Sequence, residues 1–177
     1  MHFKDIPKFT RGARYQIDIS WKYLPAYLQS LKEDYRLNLA PDFQREHVWS
    51  PRQQQAYIEY ALAGGLTGKD IYFNYPNYNL NAMQDTDSMV IVDGKQRVEA
   101  VMAFLRDEII VFGHRLCDFE GEFRANLCTL KVGINDLETK AEVLSWYLAI
   151  NATGTPHTPK EIERVRAMLK QEQKGDA

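Results

Sequence analysis

Asp93-Gly94-Lys95-Gln96-Arg97 gathers an acid, a flexible backbone position, two cations and an amide into five consecutive residues. Upstream, Ser88-Met89-Val90-Ile91-Val92 becomes apolar and β-branched, which suits a buried strand. Downstream, Val98, Val101, Met102 and Leu105 recur at helical spacing. Asp-Gly favours a tight turn, so the reading is strand, turn, helix. A helix amino end presents N–H groups and a positive dipole end, which suits an anion such as a phosphate. Gly94 lets the backbone approach a ligand, Lys95 adds a point charge, and Arg97 adds a planar fork. Asp93 suits either a metal ion bridging phosphates or the orientation of a water. The same five residues also fit an ordinary exposed turn at a helix start.

Two more polar clusters stand at element edges. Phe43-Gln44-Arg45-Glu46-His47-Val48-Trp49 sets Arg45 between two aromatics, ahead of a well-signalled helix. Arg45 can face an anion there. Equally, Phe43 and Trp49 can be core anchors with solvated charges between them. Asn151-Ala152-Thr153-Gly154-Thr155 offers amide and hydroxyl groups for a base, ribose or phosphate, or is a plain helix-to-helix connection. Gly64-Gly65-Leu66-Thr67-Gly68-Lys69-Asp70 imitates a phosphate-binding loop but fails it. The required first glycine is Ala63, and Asp70 stands where Ser or Thr is needed. No HExxH, GxSxG or GxGxxG motif is present.

The elements that must position these clusters are legible from periodicity. Tyr15–Ile19 alternates as a strand, and Ser20 offers an N-cap to a helix bearing Leu24, Leu28 and Leu31. Ser50-Pro51-Arg52-Gln53 is a capping-box start with Pro at the first helical position, and Gly64-Gly65 is the stop. Ile71–Tyr75 reads as a strand and Pro76–Asp87 as a loop. Glu108–Gly113 and Cys128–Ile134 read as two more strands, and Leu137–Ile150 as a helix. Thr158-Pro159-Lys160-Glu161 opens a last helix with Ile162, Val165, Met168 and Leu169. Interleaved strands and helices predict a mixed class, α+β or α/β.

With 177 residues the chain suits one domain. We divide it into a surface arm (1–13), one domain (14–170) and a polar tail (171–177). Net charge is −2, so the totals advertise no large basic face for duplex DNA. Two cysteines, Cys117 and Cys128, make neither a disulfide framework nor a zinc pattern. No apolar run reaches membrane-spanning length, and a cytoplasmic location is expected.

Taken in order, three stretches resemble a known family. They are Pro41-Asp-Phe-Gln-Arg-Glu-His-Val-Trp49, Val92-Asp-Gly-Lys-Gln-Arg97, and Ile150-Asn-Ala-Thr-Gly-Thr155 with Thr158-Pro-Lys-Glu161. The chain resembles the DGQQR-type domain at the N-terminus of GmrSD-type restriction enzymes, itself related to ParB N-terminal and sulfiredoxin folds. The resemblance runs from Ile17 to Leu169, and Lys95 stands where the family usually has Gln. It implies an α+β fold, a small mixed sheet flanked by helices. It also implies that the DGKQR turn binds or hydrolyses a nucleoside triphosphate with Mg²⁺, with Gln44 and Arg45 in the same pocket.

On that basis the expected site has Asp93 as the catalytic or Mg²⁺-holding residue. Gln44, Arg45, Gly94, Lys95, Gln96, Arg97 and Asn151 would hold the nucleotide. Many relatives continue into an HNH nuclease module. This chain shows neither its paired histidines nor CxxC knuckles, so a free-standing, phage-type version is expected, working with a separately encoded nuclease or effector. Such a protein would act in the cytoplasm of a bacterium or phage-infected host. A second reading is a non-enzymatic DNA-binding or regulatory module. It would use Lys4, Lys8, Arg11 and Arg14 of the arm with Lys160, Arg164, Arg166 and Lys170 of the last helix. A third is a ParB-like nuclease using Asp93 and a metal.

Overall fold

The computed structural model describes residues 2, 6, 15–44, 49–76, 78, 88–121, 128–151 and 159–175. Most of the expected surface arm, most of the 76–87 loop and the Thr158 cap lie outside the described residues. The elements are β1 (Tyr15–Ser20), α1 (Leu24–Tyr35), α2 (Pro51–Leu62), β2 (Asp70–Asn74), β3 (Val90–Asp93), α3 (Lys95–Leu105), β4 (Thr129–Asn135), α4 (Lys140–Asn151) and α5 (Pro159–Gly175). Short 3₁₀ turns stand at Trp21–Tyr23 and Leu116–Asp118.

The four strands form one mixed sheet in the order β1-β4-β2-β3. β1 runs antiparallel to β4, β4 parallel to β2, and β2 antiparallel to β3. The fold is thus α+β, a small mixed sheet flanked by helices. Alternation along the strands decides the two faces. Ile19, Ile71, Phe73, Ile91, Leu130, Val132 and Ile134 join Leu24, Leu28, Ile58, Val98, Val101 and Phe104 in the main core, which seats α1, α2 and α3. On the other side Val92 and Phe43 pack with Val143, Leu144, Trp146 and Tyr147 of α4 and Val165 of α5. Among the described residues no helix is long and apolar enough to cross a membrane.

The local signals explain most starts and stops. The α2 capping box is complete: Gln53 N–H donates to Ser50 Oγ at 3.3 Å, and Ser50 N–H donates to Gln53 Oε1 at 2.8 Å. Three expectations are corrected. Ser20 caps no helix with its side chain; it precedes the 3₁₀ turn, and α1 begins at Leu24 with Pro25 in its first turn. The helix expected from Leu137 begins at Lys140, because Leu137 is bound elsewhere. Its N–H donates to Asn74 Oδ1 at 2.9 Å, and its carbonyl accepts from Asn74 Nδ2 at 3.0 Å. Thr139 and Glu142 then cap α4 reciprocally: Glu142 N–H donates to Thr139 Oγ1 at 3.2 Å, and Thr139 N–H to Glu142 Oε2 at 3.1 Å.

The third correction concerns Glu108–Gly113, which is no strand of the sheet. Only an isolated bridge joins Val111 to His114. Phe112 (φ 50°) and Gly113 (φ 81°) turn the chain tightly after Val111, so it never reaches a sheet edge.

Asn74 is 1% exposed and holds both backbone groups of Leu137. Asn74→Ala leaves two buried backbone groups unpaired and is expected to cost about 2–4 kcal/mol in urea unfolding. A cost under about 0.5 kcal/mol would show that the tie between β2 and the start of α4 is dispensable.

Candidate functional site

The centre of the site is the β3–turn–α3 unit. β3 ends on Asp93, Gly94 takes a left-handed conformation (φ 94°), and α3 begins at Lys95. Glycine is required there for two reasons. A side chain resists that φ. A Cβ on Gly94 would also lie 3.0 Å from the Asp70 carbonyl oxygen and 3.1 Å from Ile71 Cα. The sequence suggested that Gly94 opens the backbone to a ligand; in the structure its first duty is to let the turn pass β2. No side chain caps α3, and its first intrahelical bond here runs from Val98 N–H to the Gly94 carbonyl at 3.0 Å.

Arg97 stands in the first turn of α3. Its Nη1 donates to the Asp70 carbonyl at 2.6 Å and to Asp93 Oδ2 at 3.1 Å. Both bonds use one nitrogen. Among the described residues Nη2 and Nε make no bond, so part of the guanidinium fork remains for an anion. Arg97 and Asp93 side chains are each 24% exposed, within reach of a ligand but sheltered from bulk water.

Two amides tie the second cluster to this unit. Gln44 Nε2 donates to the Val92 carbonyl at 2.7 Å and to that of Ile91 at 3.3 Å. Gln96 Oε1 accepts from Trp49 N–H at 3.0 Å. β3 is the sheet's outer strand, and these bonds extend the cover along it. Asn38 N–H donates to the Met89 carbonyl at 2.7 Å, and Ile91 N–H to the Asn38 carbonyl at 3.1 Å. Phe43 (3% exposed) and half-buried Trp49 are the core anchors that the cautious reading expected. Gln44, Asp93, Gly94, Gln96 and Arg97 therefore converge, with half-buried Lys95 between them in sequence. Arg45 lies outside the described residues.

Asn151 is the last residue of α4, not the first of a loop, and its Nδ2 donates to the Tyr147 carbonyl at 2.7 Å. α4 reaches the site through Tyr147, whose ring meets Phe43 edge-on at 5.5 Å. In α5, Arg164 donates to the carbonyls of Asp42 (2.7 Å) and Phe43 (3.0 Å). It therefore serves to hold the Phe43 segment, which subtracts it from the basic set proposed for DNA.

Three residues reach the site that no motif announced. Asp70 offers its carbonyl to Arg97, and its exposed side chain lines a groove of about 420 Å³ on the open face of the sheet. Tyr72 pairs in register with Asp93 and lines the same groove. Tyr57 of α2 donates to the Gly68 carbonyl at 3.0 Å and packs its ring 5.2 Å from that of Trp49. Burial pushes the Tyr57 phenol up to about 12, with Arg97 pulling it down and Asp70 up. Burial, then Asp70 and Asp93, raise Tyr72 as well. Both phenols therefore stay protonated at neutral pH and are donors, not bases. Their only sequence signals were helical spacing at Tyr57 and alternation at Tyr72, which identify a face and no chemistry.

Among the described residues no three His, Cys, Asp or Glu side chains gather as a metal site. Asp93 thus fits Mg²⁺ only as one carboxylate beside ligand phosphates, the arrangement Mg²⁺ commonly takes with nucleotides.

Fold and site together define a small α+β domain built round an anion-compatible strand–turn–helix unit. The sequence profile of the family described as GmrSD restriction endonuclease, N-terminal domain, matches residues 27–132, and the chain belongs to that family. It is thereby a module of restriction- or defence-system type. The matched span holds Gln44 and the whole Asp93–Arg97 turn and leaves out α4 and α5. No curated protein and no solved structure matches the chain.

Gly94→Ala meets backbone on β2 as well as an unfavourable φ, whereas Gly121 (φ 90°) has nothing within 4 Å. We expect Gly94→Ala to cost about 2–3 kcal/mol in chemical denaturation and Gly121→Ala about 1 kcal/mol. Equal costs would mean that β2 yields to the added methyl.

Proposed function

We propose that this domain binds a nucleoside triphosphate at the amino end of α3, with Mg²⁺, and hydrolyses it slowly. The observation that carries the reading is the state of Arg97. Its guanidinium is anchored through Nη1, points of attachment remain on Nη2 and Nε, and it sits in the first turn of a helix that no side chain caps. In this reading Arg97 takes phosphate oxygens through its remaining donors. Lys95 adds charge, and the N–H groups of the first turn of α3 meet the same anion. Gln44 and Gln96 act by holding the turn and the segment that ends at Trp49. Arg45 and Asn151 are assigned to the nucleotide on the family resemblance.

Asp93 is poised between two duties. In the structure it pairs with Arg97 at 3.1 Å. Phosphates on Arg97 compete for that guanidinium and release the Asp93 carboxylate to hold Mg²⁺ or to orient a water. Mg²⁺ held by Asp93 would supply charge neutralisation to the phosphates. The half-buried phenols of Tyr57 and Tyr72 stay protonated, which leaves Asp93 as the base candidate of the cluster.

The second reading, a non-enzymatic DNA-binding or regulatory module, draws less support because Arg164 is engaged with carbonyls of the Phe43 segment. Metal-dependent DNA cleavage draws least, since no carboxylate cluster surrounds Asp93 among the described residues. On the family resemblance, a separately encoded nuclease or effector would supply the output.

Calorimetry against ATP, GTP and CTP with Mg²⁺ tests the assignment. At least one is expected to bind, and Arg97→Ala to weaken it tenfold or more, which is about 1.4 kcal/mol. Lys95→Gln, which restores the usual family residue, should retain binding. A melting curve separates loss of the Asp70 contact from loss of the ligand contact. No binding to any triphosphate, or equal binding by a folded Arg97→Ala variant, sinks the proposal.

A further inference from the structure

On the sheet face turned to α4, polar side chains line up across three strands. In register, Asp18 of β1 stands opposite Lys131 of β4, and Lys131 opposite Asp70 of β2. The next row holds Gln16, Gly133 and Tyr72, with Asp93 of β3 paired to Tyr72. α4 and α5 cover this face around Val92 and Tyr72, where the Trp146 ring lies 5.7 Å from that of Tyr72. Beyond Tyr72 the face is bare. Gln16, Asp18, Lys131 and Asp70 are exposed there and line the groove of about 420 Å³. Among the described residues, the side chains of Asp18, Lys131 and Asp70 make no hydrogen bond or ion pair.

The groove adjoins the Arg97 site because Asp70 serves both. Its carbonyl accepts Arg97 Nη1 at 2.6 Å, and its side chain stands in the groove. Neighbouring strands lie about 4.8 Å apart, so Lys131 stands about 5 Å and Asp18 about 10 Å from Asp70 across the sheet. Gly133 makes room for Tyr72: a Cβ there would lie 3.0 and 3.1 Å from carbons of its ring. The ring therefore lies against β4 and gives the groove one flat apolar wall. Two carboxylates against one ammonium make the groove net negative, which disfavours a phosphate and favours N–H and O–H donors.

We propose that this groove takes the nucleoside half of the triphosphate, and that the base it selects is guanine. The inference rests on the proposed seating of the phosphates at Arg97. Strand order then sets the order of the ligand. Phosphates meet Arg97, the ribose hydroxyls donate to the Asp70 carboxylate, and the base reaches Lys131 and Asp18 with the Tyr72 ring beside it. The choice of base follows from its donors and acceptors. A carboxylate presents two acceptor oxygens, and an ammonium presents only donors. Guanine carries on one edge two adjacent N–H donors, at N1 and N2, followed by the acceptor O6. The donors fill both oxygens of Asp18, and O6 accepts from Lys131. Adenine and cytosine offer one donor group beside acceptors, and uracil a single N–H between two carbonyls. Each of these leaves an oxygen of Asp18 unmatched.

Calorimetry on the whole chain with Mg²⁺ compares GTP with ATP, CTP, UTP and XTP, whose xanthine carries a carbonyl in place of the guanine amino group. GTP is expected to bind about tenfold or more tighter than the others, which is the scale on which a matched bidentate pair discriminates. Asp18→Asn replaces one acceptor by a donor, so it should move the preference from GTP towards XTP and leave ATP unchanged. Lys131→Met should weaken GTP about tenfold. Asp18 and Lys131 are exposed, so neither substitution should move the melting curve. Arg97→Ala, by contrast, should weaken every triphosphate alike. If the unaltered chain binds no triphosphate, the phosphate site itself fails and the groove falls with it. If triphosphates bind and Arg97→Ala weakens them, the phosphate site stands. The guanine groove is then overturned by indifference to the base, by preference for another base, or by an Asp18→Asn variant whose preference does not move towards XTP.

Discussion

One carbonyl oxygen organises the site. The Asp70 carbonyl, at the start of β2, would lie only 3.0 Å from a Cβ on residue 94, and it also accepts Arg97 Nη1 at 2.6 Å. Residue 94 must therefore be glycine, and α3 must leave the sheet at an angle that returns Arg97 to β2. The register between β2 and β3 sets Tyr72 opposite Asp93 and includes an irregularity between Tyr72 and Phe73. The irregularity gives β3 one extra residue, Val92, and alternation sets Val92 in the second core and its neighbour Ile91 in the first.

From that fixed turn, the rest of the site is held by side-chain amides. Gln44 satisfies the Val92 carbonyl at the end of an edge strand, and Gln96 takes the Trp49 N–H at the entrance to α2. Arg164 of α5 secures the two residues before Gln44 from the other side. A polar residue in a motif can thus be spent on architecture while its neighbour stays available for a ligand. Among the described bonds, Gln44 falls in the first group and the outer half of Arg97 in the second.

Much of this was legible beforehand where the governing physics is local. The α2 capping box, the helical stripe of α3 and the alternation of β1, β2 and β4 depend on residues within a few positions of one another. Misreadings arose where a distant group intervened. Leu137 continues the apolar stripe of α4, yet it is withheld from the helix by Asn74, 63 residues away. Glu108–Val111 carries strand composition, yet a left-handed Phe112-Gly113 turn takes it out of the sheet. Asp70, Tyr57 and Tyr72 gave no signal as site residues, because their proximity to Arg97 arises only from strand order and helix packing.

The sequence by itself determined the strand–turn–helix unit, its Gly94, the charges that flank it and the family to which the chain belongs. Those follow from propensity, turn chemistry and spacing, which act over a few bonds. Tertiary structure alone decided what each polar group is left to do. It paired Asp93 with Arg97, spent Gln44 and Gln96 on backbone, brought Asp70 beneath the turn and left Ile110 without a strand beside it. The physical reason is that hydrogen-bond capacity is finite. Which donors remain for a ligand depends on which acceptors the fold has already brought within reach.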